Sequence, residues 1–257
     1  MKRLLSLFLV INISFMGMAQ LKELDSGVYK WSELPIKEGD MRVGRKIMEG
    51  SSPHFSFLEI HATTQDKGAK PAPPHTQENI EELVIVKEGW LKLTMNGKSE
   101  VLPKGSVGLI PPLTEQSMEN SGDVPLTYYI MMFTSKKDMD IQRGQEAGGP
   151  LFINFEDLKP EKTSKGRSTS YFERPTDMCE YFEMHTTQLD RKGPSHKPHS
   201  HSESEIILVI EGQTEMTING EKYQGTIGDL FFVKSNETHG ISNIGDSPCR
   251  YYAFRWK

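Results

Sequence analysis

Cysteine is scarce in this chain. The 257 residues hold two, Cys179 and Cys249, and neither sits in a CxxC or Cys/His pattern. A thiolate zinc site is thereby excluded, while a single disulfide and two buried free thiols both stay open. No basic run with interleaved aromatics is present, so nucleic acid is not an expected partner. Helical periodicity is weak throughout. Beyond residue 20 no segment is apolar enough to cross a membrane.

What is present begins with the first twenty residues, "MKRLLSLFLVINISFMGMAQ". Lys2 and Arg3 precede an apolar stretch from Leu4 to about Met16, and small residues Gly17 and Ala19 follow. That is the layout of a secretory signal peptide, residues 1–19, cleaved after Ala19. No cysteine stands just after that point, which argues against a lipid-anchored form. Loss of Lys2 and Arg3 leaves 28 basic against 35 acidic residues, a net charge of −7. With 36% hydrophobic and 25% charged residues, the remainder reads as a globular protein.

The chain is one unit written twice. "EELVIVKEG" at Glu81 aligns with "SEIILVIEG" at Ser204, Asn96-Gly97 with Asn219-Gly220, Gly105 with Gly228, and Tyr128-Tyr129 with Tyr251-Tyr252, all at an offset of 123. Further upstream, "EIHATT" at Glu59 aligns with "EMHTTQ" at Glu183 at an offset of 124. A period this long marks a duplicated domain, since solenoid repeats run roughly 20–50 residues. The expected units are residues 20–134 and 151–257, joined by a polar linker, 135–150, that ends in Gly-Gly-Pro. Each copy reads as β. Short β-branched runs end at glycine, and Asn-Gly between strand-like flanks marks a tight hairpin.

The second copy concentrates metal-ligand chemistry at the mouth of one such run. His199 and His201 share a face if the chain there is extended, because strand side chains alternate. Glu205 has the same parity, and His239 follows the next short strand. Three imidazoles and one carboxylate suit manganese, iron, nickel, copper or zinc, and suit calcium and magnesium poorly.

These spacings resemble the cupin superfamily. Gly193, His199, His201, Glu205 and Gly212 fall on its first signature, and Gly228, His239 and Asn243 on its second. Lys234 and Asn236 stand where the second signature has Pro and Gly. The resemblance covers both copies, so the chain resembles an exported bacterial bicupin. It implies an all-β fold of two tandem double-stranded β-helix, jelly-roll-like barrels, with one divalent transition metal held by His199, His201, Glu205 and His239. In the first copy the corresponding residues are His75, Gln77, Glu82 and Gln116. Amide oxygens are weak ligands for metals that favour imidazole, so this copy reads as a degenerate site.

His185 and His61 occupy matching positions before each motif and read as structural. His196 reads as an exposed loop residue, and Glu203 and Tyr223 as candidates for proton transfer without positional support. The resemblance implies a metal-dependent enzyme acting outside the cytoplasm on a small, oxygen-rich chelating molecule such as a hydroxy acid, keto acid or sugar derivative. Isomerase, lyase, decarboxylase, dioxygenase and aminohydrolase chemistries all stay open. The alternative is a non-catalytic, metal-dependent small-molecule or carbohydrate-binding bicupin. Homo-oligomer formation is left open. The signal-peptide reading predicts a mature N-terminus near Gln20. N-terminal sequencing of the secreted protein checks it, and an intact Met1 chain in the membrane fraction would count against it.

Overall fold

The computed structural model describes residues 21–257; the expected signal peptide lies outside the described residues. Four antiparallel sheets account for nearly all of the regular structure. In the first half a seven-stranded sheet runs in the order Leu151–Ile153, Val107–Ile110, Glu81–Glu88, Leu126–Ser135, Phe55–Gln65, Arg42–Gly50, Ile36–Gly39. A four-stranded sheet, His75–Thr76, Glu115–Asn120, Trp90–Met95, Lys98–Pro103, lies with it. The second half repeats the plan. Its large sheet runs Gly27–Tyr29, Leu230–Val233, Ser204–Glu211, Cys249–Trp256, Phe182–Leu189, Gly166–Arg174, Glu161–Lys162. Its small sheet runs Gly193–Pro194, His239–Asn243, Thr214–Ile218, Glu221–Gly225. The expected pair of jelly-roll-like units is therefore present. Each is a sandwich of two sheets rather than a ring closed hydrogen bond by hydrogen bond.

The unbroken apolar runs are explained by which faces they cover. Val84, Val86, Tyr128 and Ile130 pack with Leu91, Leu93 and Met95 inside the first sandwich. Their neighbours of opposite parity, Leu83, Ile85, Tyr129, Met131 and Phe133, join a different cluster. That cluster also takes Phe182, Met184, Ile206, Leu208, Phe232, Tyr252, Phe254 and Trp256 from the second half. Ile207, Val209, Phe231 and Tyr251 face the second small sheet instead. Both faces of each large sheet are thus buried, one against its own small sheet and one against the other half. A strand in that position needs continuous rather than alternating apolar residues. Aromatic stacking crosses the junction. Phe55 lies 5.2 Å from Trp256 and 4.7 Å from Phe133, centroid to centroid.

Two strands cross between the halves. Gly27–Tyr29 open the first copy yet pair with Leu230–Phe232 of the second. Leu151–Ile153 open the second copy yet pair with Val107–Leu109 of the first. Each covers a sheet edge that would otherwise present unpaired backbone groups. The Asn-Gly turns form as expected, with φ of 47° and 80° at Asn96-Gly97 and 50° and 89° at Asn219-Gly220, which suit a two-residue hairpin loop. The segment expected as a linker contains a helical turn, Ile141–Glu146, capped by the Asp140 side chain. Arg143 donates from that turn to the carbonyls of Thr176 and Asp177 at 2.7 and 2.9 Å. Cys179 and Cys249 are both buried free thiols, in different hydrophobic clusters.

One carboxyl is trapped at the junction. Glu81, fully buried, accepts from Thr176 Oγ1 at 2.9 Å and from Met178 N–H at 3.0 Å. Burial raises its pKa to about 8, outweighing those two hydrogen bonds. The folded state therefore keeps this proton to a higher pH than the unfolded chain does. Below the unfolded value, near 4.5, both states carry it and nothing is lost. Between there and about 8 the unfolded state ionises first, so stability falls as pH rises, by about 1 kcal/mol per pH unit for one group. Glu81→Gln keeps the shape and an acceptor, and should flatten this dependence in denaturant melts taken from pH 5 to 8. An unchanged slope in the variant would show that Glu81 is not the titrating group.

Candidate metal centre

The second half brings its four candidate ligands to one end of the sandwich interior. His199 and His239 sit opposite each other in an isolated antiparallel bridge. His199 N–H donates to the His239 carbonyl at 3.0 Å and His239 N–H to the His199 carbonyl at 2.8 Å. Asn236 N–H donates to the His201 carbonyl at 2.7 Å and so pins the next histidine. Glu205 begins the strand behind them. Its partners in register are Val233 on one side and Arg255 on the other. Its parity is that of Ile207 and Val209, which face the sandwich interior. One ring nitrogen from each of His199, His201 and His239 lies within 4.8 Å of the others.

The donor set fits a metal ion. His201 Nδ1 faces the Glu203 carbonyl at 3.1 Å, and His239 Nδ1 faces the Glu237 carbonyl at 2.8 Å. Such contacts place the proton on Nδ1 and leave Nε2 as a lone pair. Both Nε2 atoms are buried and make no hydrogen bond among the described residues. Glu205 Oε2 lies 2.8 Å from His239 Nε2 and 3.6 Å from His201 Nε2, but the alignment at His239 is not that of a hydrogen bond. Unpaired buried nitrogens that converge on a carboxylate are costly without a shared cation.

Without an ion the carboxylate and the imidazoles hold one another: at His239 burial is outweighed by Glu205, and the pKa rises. Burial opposes charge on Glu205, yet the imidazoles of His201 and His239 outweigh it and hold the carboxyl down at about 2. Burial, and then the neighbouring imidazoles of His196, His239 and His201, lowers the pKa of His199 and so favours its neutral, ligating form.

Three of the four candidates, His199, Glu205 and His239, open onto a cavity of about 280 Å³. His185, His196 and Arg255 line it as well. Glu183, Arg255 and Glu205 form a cross-strand row, since Arg255 is in register with both carboxylates. Glu183 Oε2 accepts from Arg255 Nε at 3.0 Å, and its Oε1 contacts His185 Nδ1. The sequence reading missed Arg255. Its signal was a cation of inward parity in the otherwise apolar "RYYAFRW". His196 is exposed, as expected, and its ring meets that of His199 edge-on at 4.4 Å. Glu203 turns outward to Lys257 Nζ at 2.9 Å, and the Tyr223 hydroxyl bonds to Glu221 at 2.6 Å, so neither lines this cavity.

In the first half the backbone arrangement is the same and the chemistry is not. Gln116 pairs in register with His75, as His239 does with His199. Gln116 is 2% exposed with an unpartnered buried Oε1. Burial raises the pKa of Glu82, and the nearby Gln116, His75 and Gln77 offset this only in part. Replacing two imidazoles by amides reverses the direction of the shift seen at Glu205.

Known proteins agree with this architecture. The pattern named Cupin domain matches residues 62–133 and 186–255, more than half of the chain. The chain belongs to the cupin domain family. The uncharacterized protein MJ1618 of Methanocaldococcus jannaschii is 36% identical over 53 residues, which make up 20% of this chain and 42% of that protein. This chain thus spans less than half the length of that relative. Among solved structures, oxalate decarboxylase from Lactobacillus farciminis in complex with formate superposes with a TM-score of 0.70 at 11% identity, over 90% of this chain and 86% of that one. YlbA from E. coli gives 0.69 at 13% identity, over 93% and 95%. AerE from Microcystis aeruginosa gives 0.67 at 13% identity, over 87% and 96%. At these identities the likeness is one of fold. No helix of the described residues is long and apolar enough to cross a membrane.

Proposed function

We propose that this chain is an exported metal-dependent enzyme with one active centre, in its second half, acting on a small carboxylate-bearing molecule that chelates the metal. The observation that carries the reading is the shared cavity: His199, Glu205 and His239 open onto the same space as the guanidinium of Arg255. A metal there recognises a chelating oxygen pair, and an arginine recognises a carboxylate in bidentate fashion. Hydroxy acids, keto acids and uronates carry both features, whereas neutral sugars lack the second. Oxalate decarboxylase, a structural neighbour, acts on such an acid, which is in keeping with the proposal at the level of chemistry.

His199, His201, Glu205 and His239 would hold the ion, of the manganese, iron, nickel, copper or zinc class. The ion would supply Lewis-acid polarisation of a chelated oxygen. The chain's own groups do the rest. Arg255 orients the substrate carboxylate. Glu183 fixes Arg255 through Nε and His185 through Nδ1. His185 then offers Nε2 to the cavity, where it takes or returns a proton. This gives His185 a part in the site beyond the structural role its presence in both copies suggested. The first half, with His75, Gln77, Glu82 and Gln116, keeps the scaffold without the imidazoles and binds metal weakly or not at all.

Elemental analysis tests the centre. Wild type should carry close to one transition metal per chain. His199→Ala or His239→Ala should remove most of it with circular dichroism unchanged, and His75→Ala should leave it in place. Two metals per chain, or metal lost with His75 alone, would reverse the assignment of the two halves.

A turnover screen of metal-loaded protein against hydroxy acids, keto acids, uronates and neutral sugars tests the substrate class. Arg255→Gln should weaken acid recognition about 10–100-fold, the worth of one hydrogen bond to a charged group, with metal content unchanged. Saturable binding of an acid without turnover would instead identify a metal-dependent binding protein. Preference for neutral sugars would overturn the carboxylate assignment.

A further inference from the structure

The duplication leaves a second space, a cleft between the halves and apart from the metal cavity. It has a volume of about 230 Å³. Ile85 and Tyr129 wall it from the first half, and Val209 and Tyr252 wall it from the second. Its walls are largely apolar, and two of its three tyrosines have their hydroxyls engaged at one backbone carbonyl. Tyr171 Oη donates to the Gly105 carbonyl at 2.8 Å, and Tyr252 Oη reaches the same oxygen at 3.4 Å. An adjoining space of about 290 Å³ shares Phe155, Thr186 and Arg250 with the first. Arg250 therefore stands where the two lobes meet.

The rim is where the two copies have diverged. By the offset of 123, Lys87 corresponds to Ile210, Lys104 to Ile227, and Arg250 to Thr127. The buried positions remain alike, as in Tyr129 with Tyr252 and Ile85 with Leu208. The first-half rim of the cleft carries Lys87, Glu88 and Lys104, and the second-half rim sets the apolar Ile210 and Ile227 beside Arg250. Lys87 is paired with Glu88 at 2.7 Å. Lys104 makes no ion pair among the described residues.

Arg250 is under-satisfied. Its Nε is shielded from solvent and makes no hydrogen bond among the described residues. Its Nη2 forms a loose ion pair with Glu211 Oε2 at 3.6 Å, longer than a hydrogen bond. A guanidinium stripped of water on one edge gains most from a planar anion that meets it with two oxygens.

We propose that this cleft is a second binding site, for a small amphipathic carboxylate whose apolar body lies between Tyr129 and Tyr252 and whose carboxylate meets Arg250. The apolar walls exclude polar chelating acids of the kind assigned to the metal centre, so the two sites take different molecules. Their separation gives the degenerate half a role: it supplies Ile85, Lys87, Lys104 and Tyr129 to a site that neither half forms alone.

Titration calorimetry with 4-phenylbutyrate, and with its neutral amide as control, tests this on the full-length mature protein. The acid should bind saturably at one site per chain, and the amide at least 10-fold more weakly. Arg250→Gln should weaken the acid at least 10-fold. Ile227→Trp, at a position 54% exposed and therefore free of a folding cost, should fill the cleft and abolish binding. Both variants should retain wild-type circular dichroism and metal content. Binding should survive in His239→Ala, which separates this site from the metal centre. Equal binding of acid and amide, indifference to both cleft substitutions, loss of binding in His239→Ala, or no saturable binding in wild type would each overturn the proposal.

Discussion

Burial of both faces of each seven-stranded sheet is the constraint on which the rest of this structure depends. A sheet that packs on one side only can alternate apolar and polar residues. These sheets cannot, because Leu83, Ile85, Tyr129 and Met131 meet the other half while Val84, Val86, Tyr128 and Ile130 meet their own small sheet. The two copies are therefore bound by core packing and not by a flexible tether. The exchanged edge strands, Gly27–Tyr29 and Leu151–Ile153, add backbone pairing to the same junction.

That constraint also decides where polar groups are affordable. Within the second sandwich buried Asp229 is held by the N–H groups of Trp31 and Thr226, and a larger group gathers at one end: the imidazoles with Glu205, and the row Glu183–Arg255–Glu205 behind them. Each member has a charged partner or stands where a metal or substrate would supply one, which is the condition for keeping ionised groups in an apolar interior. At the junction the outlying carboxyl, Glu81, avoids that requirement by keeping its proton, with its pKa raised to about 8 by burial.

The two copies show how little change separates a histidine-rich candidate metal site from its amide-bearing counterpart. His75 and Gln116 keep the backbone pairing of His199 and His239. Yet Glu82 is driven toward the neutral form while Glu205 is held ionised. The scaffold tolerates both because apolar strands, and not the ligands, hold it together. The same strand plan thus carries two different sets of polar side chains, and its outer positions differ too, as Lys87 and Lys104 do from Ile210 and Ile227.

Much of this was legible in the sequence. The period of the repeat, the Asn-Gly turns and the apolar runs are local patterns, and backbone geometry makes them readable without tertiary information. The candidate ligands His199, His201, Glu205 and His239 were picked out by strand parity and by spacings that resemble the cupin signatures. Tertiary structure alone decided the rest. Arg255 and Glu183 lie 72 positions apart and meet only through strand pairing. The exchange of Gly27–Tyr29 and Leu151–Ile153 could not be read from a repeat, because two copies of one sheet present the same edge and the period does not say which strand covers which. The cleft around Arg250 exists only once two large sheets pack face to face, and no spacing along the chain records how two faces meet.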